Sequence, residues 1–344
     1  MVPQPVCIFI ETLSNCFMER VKISVVIPTY KRPSLLMRCI NALFDQSFAS
    51  SEFEIIVISD GEDNETLALV ASLSSRRYPA LGYYSLPVKS GPAAARNLGW
   101  TIAKAKLILF TDDDCIPSAN WLEAMWNAFK SSRMSKVAFS GRTVVPINSH
   151  PTDYEKNIAR LATAEFITAN CGATRMALEC VGGFDERFRM AWREDSDLQF
   201  KFIVGGIPLV KVPAAIVTHP VRKAPWGISI REERKGMFNA LLYKKYPRLY
   251  REKIGQKVPW HYYAIVILLV LFIVGVITGS WTLKVIGLAG WAGFTLWFAG
   301  IRLRSTSRSI NHISEMVVTS ALIPVLSLFW RYYGRWRFRG FRTH

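Results

Sequence analysis

The sequence predicts an α/β protein, in which a doubly wound, mostly parallel sheet is followed by C-terminal helices that enter a membrane. Three observations carry this. From Lys22 onward, short apolar strands alternate with helices of ordinary length, the pattern of parallel pairing through crossovers. In LILFTDDDCIP (107–117), one apolar run drives straight into Asp112, Asp113 and Asp114, setting acids at the carboxyl end of a buried strand, where open α/β sheets bind ligands. The last third then changes character, with long uncharged apolar runs between basic flanks.

In chain order, residues 1–17 (MVPQPVCIFIETLSNCF) have no basic n-region and only a short apolar core, so they fit neither a signal peptide nor a membrane span. Residues 1–21 are expected to be a disordered extension, with Met18 resembling a natural start. KISVVIP is the first strand and PSLLMRCINALFDQ has helical periodicity. FEIIVISD is the second strand, NETLALVASLSS the next helix and LGYYSLP the third strand. GPAAARNLGWTIAKA enters a helix through Gly91-Pro92, which suits a first turn. LILFT and SANWLEAMWNAFK add a strand and a helix. Residues 136–221 are less regular, with strand-like KVAFSGRTVVP and IPLVKVPAAIVTHP around helical DSDLQFKFIVG. They read as the second half of one globule, residues 22–222.

The formal net charge of +17 is unevenly placed. Residues 1–221 hold 23 Lys+Arg and 22 Asp+Glu, whereas residues 222–344 hold 20 Lys+Arg and 4 Asp+Glu. Basic residues flanking apolar runs mark cytoplasmic membrane edges, which points to anionic lipid as the partner and away from nucleic acid. Residues 223–257 are read as a basic juxtamembrane segment and residues 258–301 as a transmembrane hairpin. YYAIVILLVLFIVGVIT can cross a core of ~30 Å, and Val285–Ile301 is a second uncharged run of 17 residues about six residues further on. Within 302–344 a third run, Met316–Trp330, contains Pro324 and precedes Arg331, Arg335, Arg337, Arg339 and Arg342. Were it to span, those arginines would lie outside, so a re-entrant or interfacial helix is favoured over a third span. The six cysteines show no paired spacing suited to zinc or a redox motif and are read as packing residues.

Three adjacent carboxylates repel one another and are tolerated mainly around a cation. Hard oxygen donors select Mg²⁺ or Mn²⁺, which in turn hold phosphate oxygens. An acidic turn capping the helix after Ser118 is the plainer alternative.

These residues, with five further motifs, resemble the family 2 inverting glycosyltransferases of the GT-A (Rossmann-like) fold over roughly residues 22–222. The motifs are VVIPTYKRP (25–33), IIVISDGEDN (55–64), GPAAARNLGW (91–100), FTDDDCIP (110–117), TANCGATRMALECVGGFDERF (168–188) and WREDSDL (192–198). The resemblance implies that Pro28, Thr29 and Tyr30 meet the base and ribose of a nucleoside-diphosphate sugar, guessed as a UDP sugar, and that Asp60 accepts hydrogen bonds from the base. It places Arg96 and Asn97 at the nucleotide and makes the acids a DxD-type motif. Asp114, with Asp112 beside it, would then coordinate Mn²⁺ or Mg²⁺, and Asp112 and Asp113 would contact ribose or water. Asp195 is the implied general base, with Glu194 its neighbour and competitor. Asn170, Gly183 and Trp192 are expected to line the donor and acceptor pocket. His219 is weighed equally as a metal or phosphate ligand and as an ordinary edge histidine.

Two departures matter. Ser59 replaces the first of two acids usual beside Asp60. The QxxRW sequence of processive polysaccharide synthases is absent, which favours transfer of a single sugar. The expected function is therefore transfer from a nucleoside-diphosphate sugar to a lipid, lipid-linked or cell-envelope glycan acceptor at the cytoplasmic face of the plasma membrane. A polysaccharide synthase or its subunit, a non-catalytic membrane scaffold and a self-associated form remain open alternatives.

Overall fold

The computed structural model describes residues 21–74, 79–255 and 257–340. The expected N-terminal extension falls almost wholly outside them. The chain divides into two compact units. One comprises the residues up to Pro146 together with Arg160–Pro220, and the other Ile147–Ala159 together with the chain from Val221.

The first unit is built on one eight-stranded sheet of order β3-β2-β1-β4-β7-β6-β8-β5. Strands β1 (Ile23–Thr29), β2 (Phe53–Ser59), β3 (Ala80–Ser85) and β4 (Leu107–Phe110) pair in parallel, as alternation with helices requires. Beyond β4 the pattern changes: β5 (Ile116–Pro117), β6 (Ala138–Val144), β7 (Cys171–Thr174) and β8 (Leu209–Thr218) add three antiparallel pairings. Only β6 and β8 pair in parallel there. Strand β7 is one of the elements that sequence reading does not find. Its four residues, CGAT, are too few and too small to show a period, yet it sits between β4 and β6.

Helices α1 (Pro33–Phe44), α2 (Asn64–Leu73), α3 (Pro92–Ile102) and α4 (Trp121–Ser132) follow the strands as expected. Alternate strand residues face opposite layers. Ile23, Val25, Ile27, Val57, Leu107 and Leu109 pack with Leu36 and Ile40 of α1 and Trp121 and Met125 of α4. Val26, Ile56, Ile58, Ile108 and Phe110 face the other way, onto α3. Both faces of these strands are covered, so the runs are continuously apolar.

Helix α5 (Asp153–Ala159) belongs to the second unit. This corrects the expectation that residues 136–221 form one globule. Asp153 binds the Arg302 guanidinium at 2.8 Å, and Lys156 Nζ donates to the Arg304 carbonyl, so the segment is held by its own charged side chains to groups far along the chain. The first unit closes with α6 (Arg175–Val181) and α7 (Glu194–Val204). The second adds α8 (Ile228–Glu232), α9 (Met237–Lys245), α10 (Pro247–Leu249), α11 (Trp260–Thr278), α12 (Trp281–Leu303) and α13 (Ile310–Arg337). The last three are long and apolar enough to cross a membrane. The hairpin turn is tighter than expected, because only Gly279 and Ser280 separate α11 from α12. Ser280 Oγ caps the new helix at Leu283 N, and Lys284 falls within its first turns, where a long cationic chain can reach water.

Candidate active site

The carboxyl ends of β1, β2 and β4 bring the predicted acids together. Thr29, the last residue of β1, donates its hydroxyl to Asp113 Oδ2 at 2.7 Å. Arg32 Nε lies 3.1 Å from the same oxygen. Burial pushes the Asp113 carboxyl up to about 6, against the pull of Arg32 and Thr29. Arg32 was not singled out from the sequence, although it stands in the PTYKRP motif.

Arg96 is the centre of the arrangement. Only 2% exposed, it donates from Nη2 to Asp112 Oδ1 at 2.7 Å and from Nη1 to Glu194 Oε1 at 3.3 Å. Burial works against the Asp112 carboxylate, but the adjacent guanidinium outweighs it and holds the group below its ordinary value. For Glu194 the balance is reversed. Burial first, then the neighbouring Asp195, push it up to about 7 in spite of Arg96. Asp195 is raised for the same leading reason, burial. The two acids differ in access: Glu194 is buried and Asp195 half-buried at the start of α7, with Asp195 Oδ1 accepting from Ser196 N at 2.6 Å and from Ser196 Oγ at 3.2 Å. Arg193, at φ +75°, forms the turn into that helix and lies over the half-exposed Trp192 ring.

Asp114 faces His219 Nε2 at 3.7 Å, from the end of β8. Asp112, Asp114, Cys115 and His219 each offer one donor atom within 4.8 Å of the others. His219 Nδ1 is buried without a hydrogen-bond partner among the described residues. Two carboxylates and an imidazole, one of its nitrogens unspent, suit a divalent cation of the Mn²⁺ type. Burial, and then the surrounding carboxylates, push the Cys115 thiol well up, and it packs in the apolar core beneath the acids.

Around the acids, Asp60 accepts at Oδ1 from the amides of Ser90 and Gly91, tying β2 to the entry of α3. The Lys89 ammonium lies 4.0 Å from the Tyr30 ring centroid, a contact with no sequence signal beyond its place before Gly91.

Three predicted pocket residues do other work. Asn97 donates to the Phe184 carbonyl and Glu186, and accepts from Trp100 Nε1 and Phe184 N. Its amide is thereby engaged with the loop after α6. Gly183 serves the same junction. At φ +58°, a Cβ there would lie 2.6 Å from Asn97 Oδ1 and from Trp100 Nε1, so only glycine fits. Asn170 is fully buried, accepting from Trp121 Nε1 and donating to the carbonyls of Arg142 and Ala215, so it does not line the pocket. Asn170→Ala is therefore expected to destabilise the domain by about 2–4 kcal/mol, leaving three buried groups unpaired. Nucleotide affinity of the folded fraction should stay unchanged. Denaturant midpoints and a nucleotide titration check both.

A mostly parallel Rossmann-like sheet with acids at its strand ends is an arrangement of the GT-A type. Residues 24–182 match the sequence profile described as "Glycosyl transferase family 2". Asp195 and His219 lie beyond the matched residues. The chain is 28% identical over 253 residues to the validoxylamine A glucosyltransferase of Streptomyces hygroscopicus subsp. limoneus, covering 62% of this chain and 52% of that enzyme. It is 33% identical over 118 residues to the poly(ribitol-phosphate) beta-glucosyltransferase of Bacillus spizizenii, covering 34% of this chain and 18% of that one. The chain thus spans about half, or less, of the length of these relatives. Among solved structures, the mannosyltransferase PcManGT from Pyrobaculum calidifontis, in complex with GDP-Man and Mn²⁺, matches with a TM-score of 0.55. At 18% identity, covering 90% of this chain and 88% of that one, it shows a shared fold.

Proposed function

We propose that this chain is an inverting glycosyltransferase that moves a sugar from a nucleoside-diphosphate donor to a lipid, lipid-linked or envelope-glycan acceptor at the cytoplasmic membrane face. The observation that carries the reading is the single network Asp112–Arg96–Glu194, which joins the strand-end acids to the acidic start of α7. Inversion requires one base opposite the leaving group. Asp195 suits that role, being less buried than Glu194, oriented by Ser196 and raised above the ordinary aspartate value. Glu194, spent on Arg96, holds the guanidinium in place. Thr29 and Arg32 fix Asp113. Asp112, Asp114 and His219 would hold Mn²⁺ or Mg²⁺, which when bound neutralises charge developing on the departing diphosphate.

Support for a membrane acceptor comes from the three long apolar helices and the basic 222–257 segment, with 11 Lys+Arg against 3 Asp+Glu. The envelope-glycan part follows the Bacillus relative, whose name specifies poly(ribitol-phosphate). The test is nucleoside diphosphate release by the solubilised full chain, supplied with a panel of nucleotide sugars and native-membrane lipid extract. Release that needs lipid extract and an inverted anomeric product are expected. A retained anomer, or release indifferent to every acceptor fraction, refutes the proposal.

Metal dependence has its own measurement. His219→Ala is expected to weaken Mn²⁺ binding by roughly 10–100-fold, as loss of one ligand or its support typically does. Calorimetric titration of Mn²⁺ into the detergent-solubilised chain reads this directly, and an unchanged affinity would return His219 to an edge role.

A further inference from the structure

The second unit contains a helix that is long enough to span yet packed as if it does not. Helix α13 has 28 residues, roughly 42 Å at 1.5 Å per residue, with Pro324 inside it. Residues 227–244 run beside it in the same direction. Gly227 N donates to Glu315 Oε1 at 2.7 Å, and Glu233 accepts a hydrogen bond from Ser327. The Arg234 guanidinium lies 5.7 Å from the Trp330 ring. Gly334 is pressed on the Met237 backbone, where a Cβ would meet the carbonyl oxygen at 2.4 Å. The rings of Phe238 and Phe338 are 6.2 Å apart, and Lys244 Nζ donates to the Phe338 carbonyl.

If α13 crossed a bilayer, this strap would cross with it. Arg231, Glu232, Glu233, Arg234 and Lys235 would then enter hydrocarbon, each at high cost. The level of α13 is set independently by Arg302, one residue from the end of α12. Its guanidinium binds Asp153 at 2.8 Å and also donates to Thr319 and Ser320, a third of the way along α13. A charged pair at the mouth of a membrane hairpin belongs at the water boundary. Ile323, midway along α13, packs on Ile265 and Phe298. Both lie within about six residues of the hairpin's paired open ends, Trp260 and Leu303, so the middle of α13 sits at the hairpin's mouth and not at its depth.

We infer that α13 lies along the membrane interface, with the 227–244 strap on its inner side and anionic lipid as the occupant of its outer face. That face is a stripe: Val318, Leu322, Val325, Phe329, Tyr332 and Trp336 are all exposed, at spacings of four and three residues. The opposite face, with Met316, Thr319, Ser320, Ile323 and Leu328, is buried. Arg335 lies over the Tyr332 ring and Arg339 over Trp336, so cations stand beside aromatic residues that favour the headgroup level. The chain then crosses the bilayer twice, and its arginine-rich end stays on the side of residues 221–257, where anionic headgroups can pair with it.

The test uses the full chain reconstituted in vesicles of phosphatidylcholine and phosphatidylglycerol. Nitroxides are placed on single cysteines at Val318, Leu322, Val325, Phe329 and Trp336, the native cysteines being replaced, and depth is read from collision with oxygen against a water-soluble nickel complex. One shallow depth at all five positions is expected. A profile that is deepest at Val325 and shallow at both ends would overturn the inference, whether by a span or a re-entrant loop. A second measurement keeps the native cysteines: a protease site after Lys257 and another after Arg339 should be cut from the same side of the vesicle. Cutting from opposite sides would overturn the inference too. Neither readout uses sugar transfer, so a failure here is distinct from a failure of the proposed reaction.

Discussion

Asp195→Asn is expected to lower kcat by about 10²–10⁴-fold while leaving the donor KM nearly unchanged, the loss typical of removing a general base. The amide keeps the size of the side chain and can still meet Ser196, so the start of α7 should stand. What disappears is the ability to take the acceptor proton. The pH profile supplies a second check with a defined sign. The base works only when deprotonated, and burial raises both Asp195 and its neighbour Glu194, the latter to about 7. Activity should therefore fall as pH drops, along a limb lying above the ordinary carboxylate range and belonging to the pair. Glu194→Gln removes the like charge and should move that limb to lower pH. A limb that stays in place in this variant would show that the titrating group lies elsewhere. Full activity of Asp195→Asn would dismiss Asp195 as the base.

Arg96→Met should be the most damaging single change to stability. The guanidinium is buried between two acids and balances both, so its removal leaves the buried Glu194 without a partner and deprives the part-exposed Asp112 of one. Breaking a buried pair in this way costs about 3–5 kcal/mol. Arg96→Lys should recover only part of this, because one ammonium cannot present a planar fork to carboxylates on two elements. Unfolding midpoints in detergent, compared with those of the exposed control Arg248→Met, measure the effect. A Met variant as stable as the control would mean that the two acids are solvated, and the network would lose its structural role. If Arg96→Lys folds yet loses turnover while nucleotide binding survives, the arginine acts by holding the acids and not by holding the donor.

Several readings rested on rules that local sequence satisfies by itself. Alternation of apolar strands with periodic helices dictated the parallel half of the sheet, because residues buried on both faces must be apolar throughout. The acids at 112–114 follow a strand, and chain direction alone sets them at its carboxyl end. The hairpin read at 258–301 was legible because it holds two uncharged apolar runs, one of them long enough to span ~30 Å of hydrocarbon.

Polar side chains were less legible. A motif names Asn97, Asn170 or Arg96 without saying which partner satisfies it. An amide aimed at a nucleotide and one aimed at a buried carbonyl are the same letter. Asn97 and Asn170 went to the protein's own backbone and side chains, and Arg96 to two acids 16 and 98 positions away. Arg32 and Lys89 escaped notice for the converse reason, since a surface cation in a loop carries no period. Strand β7 was hidden by its length, and its existence depends on the neighbours that pair with it.

By itself, then, the sequence determined the alternating strands and helices of the first half, the ends at which the acids stand and two helices apolar enough to cross a membrane, all of which follow from hydrophobic period and chain direction. Tertiary structure alone decided which acid faces solvent, which arginine links the two acidic motifs, where residues 147–159 belong and which residues run beside α13. Those are contacts between positions far apart in the chain. Their energies come from burial and pairing, and neither exists until the chain has folded.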